Sequence, residues 1–249
     1  MSQPLLEIQG LDKRFGGLHV TRQVSLALHA GERVALIGPN GAGKTTLINL
    51  MSGVLRPDAG RIHLLGHDVT SQTQAQRVRA GLVRTFQLTT LAQHLPVQRQ
   101  IELALFEREG LTTKAWKSMD AYPALTQEAL SILDSLGLMK FAACPTEQLA
   151  YGEQRLVEMG LALALRPQVL LLDEPMAGVP KSDGARMLST LQRLSESLSV
   201  LIIEHDMDLV FSYAQRIIVL AEGAVLAEGT PDDIRRHAAV KAAYLGHDE

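Results

Sequence analysis

Cysteine is nearly absent. Cys144 stands alone in 249 residues, so no disulfide can close within the chain, and a reducing compartment is the fitting environment. Aromatic residues make up only 4%, which leaves the core to Leu, Val, Ile, Ala and Met. A basic excess is also missing: 24 Lys and Arg face 27 Asp and Glu, for a net charge of −3. That balance argues against a general nucleic-acid binder, whose footprint is a positive patch. It leaves room for small anions, which local dipoles and a few donors can hold. No apolar run approaches the ~18 residues of a membrane span. The longest purely aliphatic one, Val169 to Leu172, has the length of a buried strand. The opening MSQPLLEIQG lacks a basic stretch followed by an apolar one, so no signal peptide is expected. Work at a membrane would run through a partner.

What is present is ordinary globular material, 46% hydrophobic and 20% charged, without repeats, low-complexity tracts or Gly/Ser linkers. Strands are expected at 5–9 and 20–28, with Gly16-Gly17 suggesting a hairpin between them. Arg33 to Ile37 reads as a buried strand entering a Gly-rich turn, and Thr45 to Met51 as the helix that follows. Arg61 to Leu65 reads as a short strand. Helical patterns cover 73–84, 98–109, 124–136, 153–165 and 182–198. The runs VLLL (169–172), VLII (200–203) and IIVL (217–220) read as buried strands, and Ile217 to Glu228 as a closing hairpin broken at Gly223. Strand–helix–strand alternation predicts an α/β core with a parallel sheet, interrupted by a helix-rich insertion at about 88–165.

Gly38-Pro39-Asn40-Gly41-Ala42-Gly43-Lys44-Thr45 matches G-x-x-x-x-G-K-[ST] between a predicted strand and a predicted helix, the context that confirms a phosphate-binding loop. Glycines let the backbone wrap a phosphate closely, and successive N–H groups with the positive helix end stabilise it. Lys44 is expected on the β- and γ-phosphates, the Thr45 hydroxyl on Mg²⁺, and Thr46 as a supplementary phosphate contact. Asp173 and Glu174 end an aliphatic strand, as the metal-linked acid of such nucleotide hydrolases does. Asp173 is expected to hold Mg²⁺ through water, and Glu174 to polarise the attacking water. Taken alone, "DEP" would be a solvated turn; beside the phosphate loop it reads as chemistry.

With these motifs in place the chain resembles the ATP-binding cassette (ABC) family over nearly its whole length. The resemblance implies a role for Phe15 as an aromatic stacked on adenine. It implies that Gln87, in Arg84-Thr85-Phe86-Gln87, senses Mg²⁺ and water and leads into a helical subdomain. Leu149-Ala150-Tyr151-Gly152-Glu153-Gln154 resembles the signature loop, so Ala150, Tyr151, Gly152 and Glu153 would contact ATP held by a second chain. His205 matches a histidine that contacts the γ-phosphate. The implied catalytic set is Glu174, His205, Gln87 and Lys44, with Thr45, Gln87 and Asp173 at the metal. The implied fold is a P-loop NTPase (RecA-like) core with an N-terminal antiparallel β subdomain and a helical insertion. Its divisions would be a core at 1–87 and 166–231, a helical subdomain at 88–165 and a tail at 232–249.

Phe15-Gly16-Gly17, Arg84 to Gln87, Tyr151 to Arg155, Ala177-Gly178, Glu204 to Met207 and the ending Tyr244-Leu245-Gly246 look like ATPase subunits of branched-chain amino-acid importers. Relatives of that group serve urea, amides and other small nutrients. The implied assembly is two ATPase chains, identical or different, around two ATP molecules, with separate permease subunits and a solute-binding protein, and no nucleic acid. The implied place is the cytoplasmic face of the inner membrane, as a peripheral subunit. Two rivals have other consequences: a non-transport soluble ABC ATPase, and a nucleotide-dependent regulatory module. Three departures from the family pattern stand out. Ala150 replaces the usual Ser, Pro180-Lys181 replaces Asp/Asn-Pro, and 88–102 fits the subfamily poorly. Phe106, Trp116 and Cys144 read as core or subdomain residues, Cys144 as a small buried hydrophobe. Arg235-Arg236-His237 is too short a basic run to claim a ligand, and the eight histidines show no metal-ligand spacing.

Overall fold

The computed structural model describes residues 3–85, 91–112 and 118–245. In chain order it opens with β1 (Leu6–Phe15), β2 (Leu18–Leu28), β3 (Arg33–Ile37), α1 (Lys44–Ser52), β4 (Ala59–Leu64), β5 (His67–Asp68), α2 (Gln74–Arg79) and β6 (Leu82–Arg84). Next come α3 (Val97–Arg108), α4 (Pro123–Ser135) and α5 (Tyr151–Ala164). The chain then returns through β7 (Val169–Asp173), α6 (Lys181–Gln192), β8 (Ser199–Ile203), α7 (Met207–Tyr213), β9 (Arg216–Ala221), β10 (Ala224–Gly229), α8 (Pro231–Arg236) and α9 (Ala238–Leu245).

These elements form two compact units. The first holds residues up to Arg84, Gln168–Glu174 and the chain from Ser195 onward. It contains two sheets. One is antiparallel, in the order β2-β1-β4-β5. Its first hairpin turns at Gly16-Gly17, with Phe15 paired to Leu18. The other has the order β10-β9-β3-β8-β7-β6. In it β3, β6, β7, β8 and β9 run parallel, and β10 closes the edge antiparallel to β9. The aliphatic runs explain this sheet. β7 and β8 are buried at every position, as strands covered on both faces must be. Leu6 and Ile8 of β1, Leu47 and Met51 of α1, and Leu171 and Leu201 of the parallel strands belong to one apolar cluster. Each such side chain contributes about 1.5–3 kcal/mol on burial.

The second unit spans Thr85–Pro167 and Pro175–Leu194, and its helices are α3 to α6. Residues 175–194 cluster with these helices rather than with the strands that flank them. Two contacts explain why: the Tyr151 ring lies against Gly178, and Arg186 donates to the Gly137 carbonyl at 2.9 Å. A network also ties three helices. Arg108 of α3 makes a two-pronged bond to Glu128 of α4, at 2.7 and 2.9 Å, and reaches the Ala164 carbonyl of α5 at 2.9 Å. Phe106 is buried, edge-on to Tyr122 with ring centroids 5.1 Å apart.

Two helical expectations are corrected. The pattern over 73–84 is α2 followed, beyond Ala80 and Gly81, by strand β6, because Leu82 and Val83 are buried in pairing with Val169 and Leu170. The pattern over 182–198 stops at Gln192; Leu194 and Leu198 are buried from outside the helix. Cys144 is half-buried rather than fully buried. Trp116 lies outside the described residues. Among the described residues, no helix is long and apolar enough to cross a membrane.

Candidate functional site

The C-terminal ends of parallel strands are where an open α/β sheet presents its ligands, and here β3, β7 and β8 deliver their motifs at those ends. After β3, residues 38–43 form the loop and α1 begins at Lys44. Gly43 has φ 98°, and a Cβ there would lie 2.7 Å from the Val20 carbonyl oxygen. Only glycine satisfies both the left-handed turn and that close approach. Gly43 offers α1 no side-chain cap, and the first turn has no acid. The helix start therefore keeps its positive dipole end for an anion. Asn40, Gly41 and Thr45 are exposed, Pro39 and Thr46 half-buried, Gly38 and Ala42 buried.

The Lys44 ammonium is held in this loop, donating to the carbonyls of Gly38 at 2.7 Å and Pro39 at 3.0 Å. Burial pulls its pKa below the usual lysine value, partly offset by the charges of Glu174 and Asp173. Both acids are thus within electrostatic reach of the loop.

Asp173 closes β7 at 3% exposure. Glu174, next along, has φ 49°, a left-handed conformation that costs a non-glycine residue about 1–2 kcal/mol. Its N–H donates to the Ile203 carbonyl at 2.9 Å, which pins the turn to the end of β8. From just beyond β8, His205 places Nε2 2.8 Å from Glu174 Oε1. Asp206 then caps α7, accepting from the N–H groups of Asp208 and Leu209. The histidine therefore sits between a buried strand and a capped helix, its ring partly exposed and aimed at the carboxylate. The Thr45 hydroxyl and the Asp173 carboxylate are hard oxygen donors of the kind Mg²⁺ takes, so the donor set fits that ion.

Phe15, at the end of β1, is 47% exposed, with the Lys13 ammonium 5.7 Å from its ring centre. Gln87 lies outside the described residues, as do Phe86, residues 88–90 and Gly246.

The second unit carries the signature-like loop. Ala150 is the N-cap of α5 and is exposed. Alanine has no side-chain acceptor, so only the reciprocal half of a capping box is present: Glu153 Oε2 accepts from the Ala150 N–H at 2.8 Å. Tyr151 is partly exposed, and its hydroxyl accepts from Arg155 at 2.5 Å. Gly178, with φ 75°, would bring a Cβ to 3.0 Å from the Tyr151 ring. Gly152 is buried. Among the described residues no His/Cys/Asp/Glu group forms a metal cluster.

Sequence reasoning missed one residue of this neighbourhood. Arg84, at the end of β6, donates to Asp173 Oδ2 at 2.5 Å. It was visible only as the first letter of the motif leading to Gln87.

Residues 21–177 match the family model described as ABC transporter, and residues 224–249 match that of the branched-chain amino acid ATP-binding cassette transporter. The chain is similar to the high-affinity branched-chain amino acid transport ATP-binding protein of Pseudomonas aeruginosa, 38% identical over 99% of both chains. Its counterpart from Escherichia coli strain K12 is likewise 38% identical over 99% of both. Among solved structures, an ATP-binding cassette of an ABC transporter in its ADP conformation matches at a TM-score of 0.85. It is 29% identical, and the match covers 99% of this chain and 100% of that one.

Proposed function

Because the chain belongs to the ABC transporter family, we propose that it binds and hydrolyses ATP as the engine subunit of a membrane importer for branched-chain amino acids or a related small nutrient. The observation that carries the chemistry is the 2.8 Å contact between Glu174 and His205, beside a loop lysine that feels both acids. The substrate class rests on the names of the relatives and on the match at 224–249.

Catalysis here is positioning plus charge stabilisation. The backbone N–H groups of residues 40–46, at the loop and the start of α1, bind the β- and γ-phosphates, and Phe15 stacks on the adenine. Lys44 neutralises charge that builds on the phosphate oxygens. Glu174 orients a water and accepts its proton; the water oxygen bonds to the γ-phosphorus as the bond to the β-phosphate oxygen breaks. His205 holds the Glu174 carboxylate in place. Thr45 and Asp173, with Gln87, would hold Mg²⁺, which when bound offsets phosphate charge.

Two chains close head-to-tail, each adding Ala150, Tyr151, Gly152 and Glu153 to the ATP held by the other. ATP favours the closed pair because both sets of contacts exist only there. The chain works as a peripheral subunit at the cytoplasmic face of the membrane, on separate permease subunits that a solute-binding protein supplies.

Glu174→Gln tests this. It keeps the side-chain shape and loses the carboxylate. Turnover is expected to fall by roughly 10²–10⁴-fold, the range for a lost general base. ATP should stay bound and a dimer should accumulate in size-exclusion chromatography with light scattering. Hydrolysis at the wild-type rate, or a monomer at saturating ATP, would overturn the assignment.

A further inference from the structure

Arg84 is where three elements of the site meet. Its side chain is largely buried at the end of β6. One arm, Nη2, donates to Asp173 Oδ2 on β7 at 2.5 Å. The other, Nη1, donates to Asn49 Oδ1 of α1 at 2.5 Å, with Ser52 Oγ at 3.5 Å. Asn49 follows Thr45 by four residues, so the two lie on the same face of α1, one turn apart. Thr45, Asn49 and Ser52 make a polar stripe on a helix whose Leu47, Ile48, Leu50 and Met51 are buried. Arg84 faces two members of that stripe, Asn49 and Ser52.

From this we infer that Arg84 is a positioning residue for the metal site: it ties the Thr45 face of α1 to the carboxylate of Asp173. The inference rests on the reading of Thr45 and Asp173 as Mg²⁺ donors. Its physical content is geometric. A carboxylate buried to this degree needs a partner, and the Arg84 bond engages Oδ2. The planar guanidinium can serve two elements at once in a fixed fork, whereas a lysine ammonium is a single point of charge on a flexible stem. Residues that orient a metal's ligands from behind set its affinity, typically by 10–100-fold.

Two variants cut the tie without leaving Asp173 beside no cation: Arg84→Lys and Asn49→Ala. A fluorescent ATP analogue is titrated into each and into the wild type, once in EDTA and once across a Mg²⁺ series, with the unfolding midpoint of the nucleotide-free protein recorded. The wild type should bind more tightly with Mg²⁺. In both variants the Mg²⁺ midpoint should rise by about tenfold, the lower end of that outer-shell range. Affinity in EDTA should stay within about twofold, since the phosphate loop itself is intact. A wild-type Mg²⁺ midpoint in both variants would overturn the inference. So would an equal loss with and without Mg²⁺, which would make Arg84 a general support of the fold. If the wild type gained nothing from Mg²⁺, the metal reading would fail instead.

Discussion

At Ala150 one missing oxygen has two consequences. A serine or threonine at an N-cap accepts from the N–H two or three residues on; Ala150 cannot, so α5 keeps that donor unbonded by its cap and relies on Glu153 alone. In the proposed dimer the same missing hydroxyl would be a donor to the γ-phosphate. Ala150→Ser should complete the capping box and stabilise the protein by roughly 0.5–2 kcal/mol, read as a higher midpoint in urea. It should also tighten the ATP-bound dimer of Glu174→Gln, read by light scattering at falling protein concentration. A serine variant with an unchanged midpoint and unchanged dimer affinity would mean that the cap position does neither job.

Among the elements, ionic bonds join the helices of the second unit alongside buried apolar side chains such as Ile101, Leu105 and Leu133. Arg108 grips Glu128 with both arms while also closing the last turn of α5, and Arg166 donates to the same carboxylate at 3.1 Å. The hydrogen bonds from Arg108 hold the Glu128 pKa below its ordinary value of 4.5, against the upward pull of burial. A carboxylate whose folded pKa is depressed contributes stability above its unfolded value and loses it as pH falls through the folded one. Glu128→Gln should therefore unfold at a lower temperature than wild type above pH 4.5. The gap should close steadily as the pH drops below that value. Calorimetric scans of both proteins across the acid range measure it; a gap that persists undiminished into strong acid would assign the loss to packing instead of charge.

For the molecule as a whole, the proposed function draws on surfaces from two chains. The phosphate loop and the acid pair lie in the first unit and the signature-like loop in the second, and the proposed ATP site takes one from each of two chains. The proposed permease partners should meet the chain near Gln87 and residues 88–102. Co-expressed permeases should recruit the protein to membranes. Crosslinks from photoreactive groups placed at Gln98 and Leu103 should reach them, while a group at Arg236 should not. Crosslinks confined to Arg236 would reject that route.

Much of this was legible in the residues by themselves. The phosphate loop, the acid pair and the buried strands around VLLL and VLII are local patterns, because a glycine at a left-handed turn or an unbroken aliphatic run carries its reason within a few positions. The end of the stretch 73–84 was not legible: Leu82 and Val83 become a strand only because Val169 and Leu170, far along the chain, offer a ladder, and a three-residue strand has no periodicity to announce it. The same holds for Leu194 and Leu198, whose spacing suggests helix while their burial comes from other elements. The resemblance assigned Glu174 and His205 to one site but not to each other; their contact comes from the register of β7 against β8. Arg84 was the least visible of all. A lone arginine in a sequence has no direction; the order of strands in the sheet put β6 beside β7 and beneath α1, and only that placement gave its two arms Asp173 and Asn49 to hold.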